Sequence, residues 1–309
     1  MAKIGIYCLG HRRPDFFVAH AKQLAKCRNQ DFHFHLLSDG MSEDVLKKVK
    51  EYLGDKVTVY YFRKDPYNYM NKIFFAVDEN TDRHEFSIKH DEDCFLMSES
   101  WDRLFDMANQ MQENDLAATG VITNGIPTTE LFLQNHAPEI KDELYADFCK
   151  IKLGFHAADY TSLNEDYEQW NPDVFYSKVK NFNHHYKGIH PVRVSFDAVK
   201  KINDFILDNF KKVMMPKNTE VIRDNSKYPY FCNGVMIIRT SEWRKIVFDR
   251  TLYVDGFDEV PLNKYRDKHK KNLLIDTGIP ILHTMYNWTP NWNYENDLIT
   301  KICEKAENE

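Results

Sequence analysis

From Lys3 to Thr123, strand-length apolar runs alternate with stretches of helical periodicity. Lys3–Leu9 reads as a buried strand, and Phe32–Leu37, with Phe32, Phe34 and Leu36 two apart, as a second. Val57–Phe62, Phe86–Lys89 and Leu116–Thr123 supply three more. Between them, Phe16–Cys27 sets Phe17, Ala21, Leu24 and Ala25 along one helical face. Ser42 opens a helix carrying Val45, Leu46, Val49, Tyr52 and Leu53. Tyr69–Val77 and Trp101–Met111 complete the helical set. Such alternation predicts an α/β fold, a mainly parallel sheet flanked by helices. Ligands of open sheets of this kind bind beyond the carboxyl ends of the strands. Asp39 follows the second strand and Asp91 and Asp93 the fourth, so three acidic residues are expected on that edge.

The pattern changes after residue 125. Residues 126–229 are aromatic and polar, with helices expected over 138–150 and 196–213, and read as a large, mostly helical insertion that forms an acceptor region or lid. Regular spacing returns at 230, with a strand at Val235–Arg239, helices at Glu242–Val247 and Val260–Tyr265, and short strands at Leu273–Ile275 and Ile281–Leu282. Residues 1–125 and 230–309 are read as two parts of one domain interrupted by 126–229. With 41 basic and 47 acidic residues the net charge is −6, which argues against nucleic acid as a partner. No run of about 18 apolar residues predicts a transmembrane segment. Met1–Tyr7 is too short and strand-like for a signal peptide, and the six cysteines are scattered with no C-x-x-C pair. Both observations point to a cytoplasmic protein with reduced thiols.

The sharpest local signal is Ile88-Lys89-His90-Asp91-Glu92-Asp93-Cys94-Phe95-Leu96. Two carboxylates two residues apart at a strand end can reach one divalent cation while it bridges diphosphate oxygens. With this D-x-D motif behind an α/β region, the chain resembles a glycosyltransferase of the A-type fold, in the nucleotide-diphospho-sugar transferase superfamily, and its inverting, family-two-like members in particular. The resemblance covers residues 3–125 and 230–290. It implies that residues 1–125 bind a nucleotide-diphospho-sugar, UDP-sugar favoured, and that 230–309 complete the acceptor and catalytic part. It further implies Mn2+ or Mg2+ on Asp91 and Asp93, with Asp93 the firmer ligand and Asp91 able to contact ribose or donor sugar instead.

Other positions carry the resemblance further. Asp39 would bind base or ribose, Lys72 in Asn71-Lys72 would meet phosphate, and Arg12 or Arg13 in the loop after the first strand would flank the nucleotide. Asn233 and Gly234, in Tyr230–Arg239, would offer a hydrogen bond and a close backbone approach. Asp258 and Glu259 fall on the acidic segment that holds the catalytic base, in reversed order and with Pro261 in place of a usual polar residue. His283, after Ile281-Leu282, matches the third metal ligand, and Trp288 and Trp292 could stack on a sugar or sit in the core. The basic run Lys264–Lys271 reads as a solvated helix face. Glycosyl transfer to a glycan or other hydroxyl acceptor is the implied function. A nucleotidyltransferase on a related sheet and a non-catalytic carbohydrate- or nucleotide-sugar-binding protein are the alternatives.

Overall fold

The computed structural model describes residues 3–10, 13–38, 40–62, 73, 76–125, 127–150, 169–174, 190–193, 195–215, 220–224, 231–232, 234–252, 259–284 and 291–308. Its strands are β1 (Ile4–Gly10), β2 (Phe32–Ser38), β3 (Val57–Tyr61), β4 (Phe86–Asp91), β5 (Cys94–Phe95), β6 (Asp115–Ile122), β7 (Val221–Asp224), β8 (Val235–Arg239) and β9 (Asn272–His283). The helices are α1 (Pro14–Ala25), α2 (Glu43–Leu53), α3 (Ser98–Gln110), α4 (Thr128–His136), α5 (Pro138–Phe148), α6 (Phe196–Val213), α7 (Thr240–Phe248), α8 (Glu259–His269) and α9 (Trp292–Asn308).

The strands form one sheet in the order β3-β2-β1-β4-β8-β6-β9-β5, with β7 pairing β9 off that path. β3, β2, β1 and β4 are parallel. β8 runs antiparallel to both β4 and β6, which returns β6, and β9 beside it, to the direction of β1. Six of the nine strands therefore share a direction, the mainly parallel arrangement that the alternation predicts. Every residue of β6 is buried, as a strand covered on both faces requires. Phe16, Phe17, Ala21 and Leu24 of α1 and Trp101, Leu104 and Phe105 of α3 fill the core, where Phe105 stacks on Phe32 at 5.6 Å.

Three expectations change. The short strands at 273–275 and 281–282 are one twelve-residue strand, β9. Asp276-Thr277-Gly278 reads as a break, but its polar groups are satisfied within the sheet. Arg103 donates twice to Asp276, at 2.6 and 2.8 Å, Gly278 N donates to the same carboxylate at 2.8 Å, and Glu220 N donates to Thr277 Oγ1 at 2.8 Å. The insertion begins with α4, a helix whose weak amphipathicity hid it because Thr128, Thr129, Glu130, Leu131, Phe132 and Leu133 are all buried. Within the basic run, Arg266 is buried rather than solvated: it bonds Asp267 and lies over the Phe231 ring at 5.4 Å. Of the expected helix over 69–77, residues 73, 76 and 77 are described, and all three are helical.

Candidate active site

The carboxyl ends of β1, β4, β6 and β9 meet on one edge. β4 ends at Asp91, a two-residue turn carries Glu92 and Asp93, and β5 returns antiparallel to β9 with Cys94 opposite His283. Backbone bonds hold this turn. Asp91 N donates to Gly234 O at 2.7 Å and Thr284 N donates to Asp93 O at 3.1 Å. From beneath, His20 Nε2 donates to Glu92 O at 2.7 Å and His90 Nε2 donates to Cys94 O at 2.8 Å. Burial keeps both rings neutral, lowering His20 to about 4 and His90 well below the ordinary histidine value.

Asp93 and His283, 190 residues apart, are brought together with Oδ2 and Nε2 separated by 3.4 Å. Two residues following β6 orient the imidazole. Thr123 Oγ1 accepts from His283 N at 2.9 Å, and Asn124 Oδ1 contacts His283 Nδ1. An amide oxygen accepts only, so Nδ1 carries a proton; Nε2 then faces the Asp93 carboxylate either with a lone pair, in the neutral ring, or with a second proton, in the imidazolium. Two acceptors facing one another repel unless a proton or a cation lies between them. Asp93, Cys94 and His283 each place a donor atom within 4.8 Å of the others. Burial first, then Asp93 and Asp91, push the Cys94 thiol far up, so it stays protonated. Carboxylate oxygen and imidazole nitrogen remain, a donor set that fits Mn2+ or Mg2+.

Asp91 lies outside that group of three. Its Oδ1 pairs with Lys89 Nζ at 2.5 Å, and the Lys89 side chain is 2% exposed while that of Asp91 is 42% exposed. The two residues share one face of β4. Lys89 is the charged group that the sequence reading missed; its signal was a lysine two residues before the first motif aspartate, in a strand otherwise apolar. Gly234 has a packing reason to be glycine, since a Cβ there would sit 2.7 Å from Cys94 Sγ and 3.6 Å from Asp91 Oδ2. Arg13, expected with Arg12 beside the nucleotide, is engaged by protein groups. It is buried, bonds Glu295 at 2.9 Å along with Asp15 and Asn296, and lies between the Phe16 and Trp292 rings. Trp292 is 52% exposed against that guanidinium. Arg12, Asp39, Lys72, Asn233, Asp258 and Trp288 lie outside the described residues; Glu259 opens α8, with its side chain outside the description.

No protein-family model and no curated protein sequence matches the chain. Among solved structures it is similar to the mannosyltransferase PcManGT from Pyrobaculum calidifontis in complex with GDP-Man and Mn2+, at 7% identity and a TM-score of 0.48, over 99% of this chain and 64% of that one. It is also similar to the galactosyltransferase LgtC in complex with donor and acceptor sugar analogs, at 11% identity and a TM-score of 0.44, over 97% and 95%. The chain thus spans less than two thirds of the length of that mannosyltransferase. Likenesses of this size carry no chemistry, which rests on the residues of this chain. No described helix is long and apolar enough to cross a membrane.

Proposed function

We propose that the protein is a metal-dependent glycosyltransferase, moving a sugar from a nucleotide-diphosphate donor, UDP-sugar favoured, to the hydroxyl of a glycan or other acceptor. The observation that carries this reading is His283 Nε2 facing Asp93 Oδ2 across 3.4 Å, at the carboxyl edge of the sheet. Asp93 and His283 would hold Mn2+ or Mg2+, which when bound supplies a Lewis acid for charge developing on the leaving diphosphate. Asp91, half-buried and paired with Lys89, would accept hydrogen bonds from ribose or donor-sugar hydroxyls. Asp39, Lys72, Arg12, Asn233 and Gly234 would complete donor binding.

The acceptor oxygen attacks the anomeric carbon, the bond from that carbon to the diphosphate oxygen breaks, and the hydroxyl proton passes to Glu259 or Asp258. That step inverts the anomeric centre. Residues 126–229 would shape the acceptor side, in a cytoplasmic enzyme.

The test is release of nucleoside diphosphate from a panel of UDP-, GDP- and other nucleotide sugars, with and without Mn2+ and with candidate acceptors. Metal-dependent release from one donor, lost in Asp93→Asn, is the expected result. Pyrophosphate release from a nucleoside triphosphate would replace the reading with a nucleotidyltransferase. Donor binding without turnover under any acceptor would replace it with a binding protein.

A further inference from the structure

A second cluster of metal-binding side chains lies directly behind the turn that carries Asp91 and Asp93. Cys8 from β1, His20 from α1 and His90 from β4 are 0%, 1% and 1% exposed. One donor atom of each lies within 4.8 Å of the others. The two imidazole rings are 4.4 Å apart and cross at 69°. Each ring commits Nε2–H to a backbone carbonyl, His20 to Glu92 O and His90 to Cys94 O. In a neutral imidazole this leaves the lone pair on Nδ1. Among the described residues His90 Nδ1 is buried without a hydrogen-bond partner, an arrangement that costs stability unless something fills it.

From this geometry we infer that Cys8, His20 and His90 form a second metal site, selective for a thiophilic transition ion such as Zn2+. A sulfur and two imidazole nitrogens favour Zn2+ or Co2+ over the hard cations that suit Asp93. The carbonyls that take up Nε2–H are the outer partners that fix the tautomer and orientation of ligating histidines. On binding, a metal–sulfur bond replaces the Cys8 S–H bond and the thiol proton is released to solvent. The ion would hold Glu92 O and Cys94 O, one on each side of Asp93, through the two rings. The inference stands apart from glycosyl transfer, because its test reads metal binding and not turnover.

Cobalt is the probe. Metal-free protein is titrated with Co2+ and followed by the thiolate-to-cobalt charge-transfer absorption in the near ultraviolet. One equivalent is expected to develop the band, and free Co2+ at 100 times its Kd to raise Tm by about 5 °C. Cys8→Ser should abolish the band. His90→Gln, whose amide can still donate to Cys94 O, should abolish or shift it. Cys94→Ser should keep it, which separates this site from the Asp93 and His283 group. Folded wild-type protein that develops no band overturns the inference and needs no variant. A band that survives Cys8→Ser and disappears in Cys94→Ser overturns it equally.

Discussion

Two carboxylate–histidine pairs in this molecule use the same residue types to opposite ends. In the insertion, Glu130 on α4 is 2% exposed and accepts from His190 Nε2 at 2.6 Å, Trp170 Nε1 at 2.8 Å and the Tyr145 hydroxyl. His190 Nδ1 accepts from Val192 N at 3.1 Å, so its Nε2 carries the proton and points it at Glu130. Phe148 and Trp170 close over the ring at 5.2 and 5.0 Å. Donors meet acceptors throughout, and the pair fastens the segments around 170 and 190 to α4 and α5. At the sheet edge the far nitrogen of His283 faces an amide oxygen, so the proton sits on that side in the neutral ring, and the near nitrogen faces a carboxylate that keeps some access to solvent. The partner of the remote ring nitrogen decides which nitrogen of the neutral ring carries the proton, and so whether the near one must donate to its carboxylate.

The comparison can be broken most forcefully at Glu130. Glu130→Ala strands two buried donors, on His190 and Trp170, and the half-buried Tyr145 hydroxyl, and should cost about 3–5 kcal/mol in urea unfolding. A loss below about 1 kcal/mol would show that the tie is not structural. Asp93→Asn should cost little stability but lower metal-dependent nucleoside diphosphate release roughly 100-fold or more, measured at saturating donor. Equal turnover would remove Asp93 from the site. Asn124→Ala frees the His283 tautomer and should weaken Mn2+ binding about 10- to 100-fold, read by electron paramagnetic resonance titration. Unchanged affinity would show that Asn124 does not set the ring.

The smallest effect concerns a buried histidine with no carboxylate. His35 Nε2 lies 2.8 Å from His84 Nε2, and burial, then His33, His84 and Arg83, push the His35 imidazolium down to about 2. The unfolded chain takes that proton near 6.5 and the folded one does not. Stability from His35 is therefore complete above pH 6.5 and declines as pH falls toward 2. The slope is about 1.4 kcal/mol per pH unit. Urea midpoints between pH 7 and 5 should fall less steeply in His35→Gln than in the wild type.

Periodicity made the N-terminal half of the sheet legible, because a run such as Ile4-Gly5-Ile6-Tyr7 has few places to go but between two neighbours. It also placed Asp91 and Asp93 at a strand end and put helices at 138–150 and 196–213, where Pro138–Phe148 and Phe196–Val213 are helical. It failed where tertiary contacts satisfy polar groups that look like punctuation. Asp276-Thr277-Gly278 reads as a break until Arg103 and Glu220 are seen to satisfy it, and Arg266 reads as solvated until its burial against the Phe231 ring is in view. Lys89 escaped notice for the same reason, since a lysine in a buried strand is expected only where a carboxylate stands beside it.

The sequence by itself determined the fold class and the chemistry on offer: strands that end in aspartates and a histidine after the last strand. The tertiary structure alone decided which of those groups meet. The pairing of Cys94 with His283 joins segments 189 residues apart, and only that register sets the imidazole against Asp93 instead of Asp91. Local propensity extends over a few residues, whereas the protonation of an imidazole nitrogen depends on whichever atom the folded chain brings against it, here Asn124 at one end of β6.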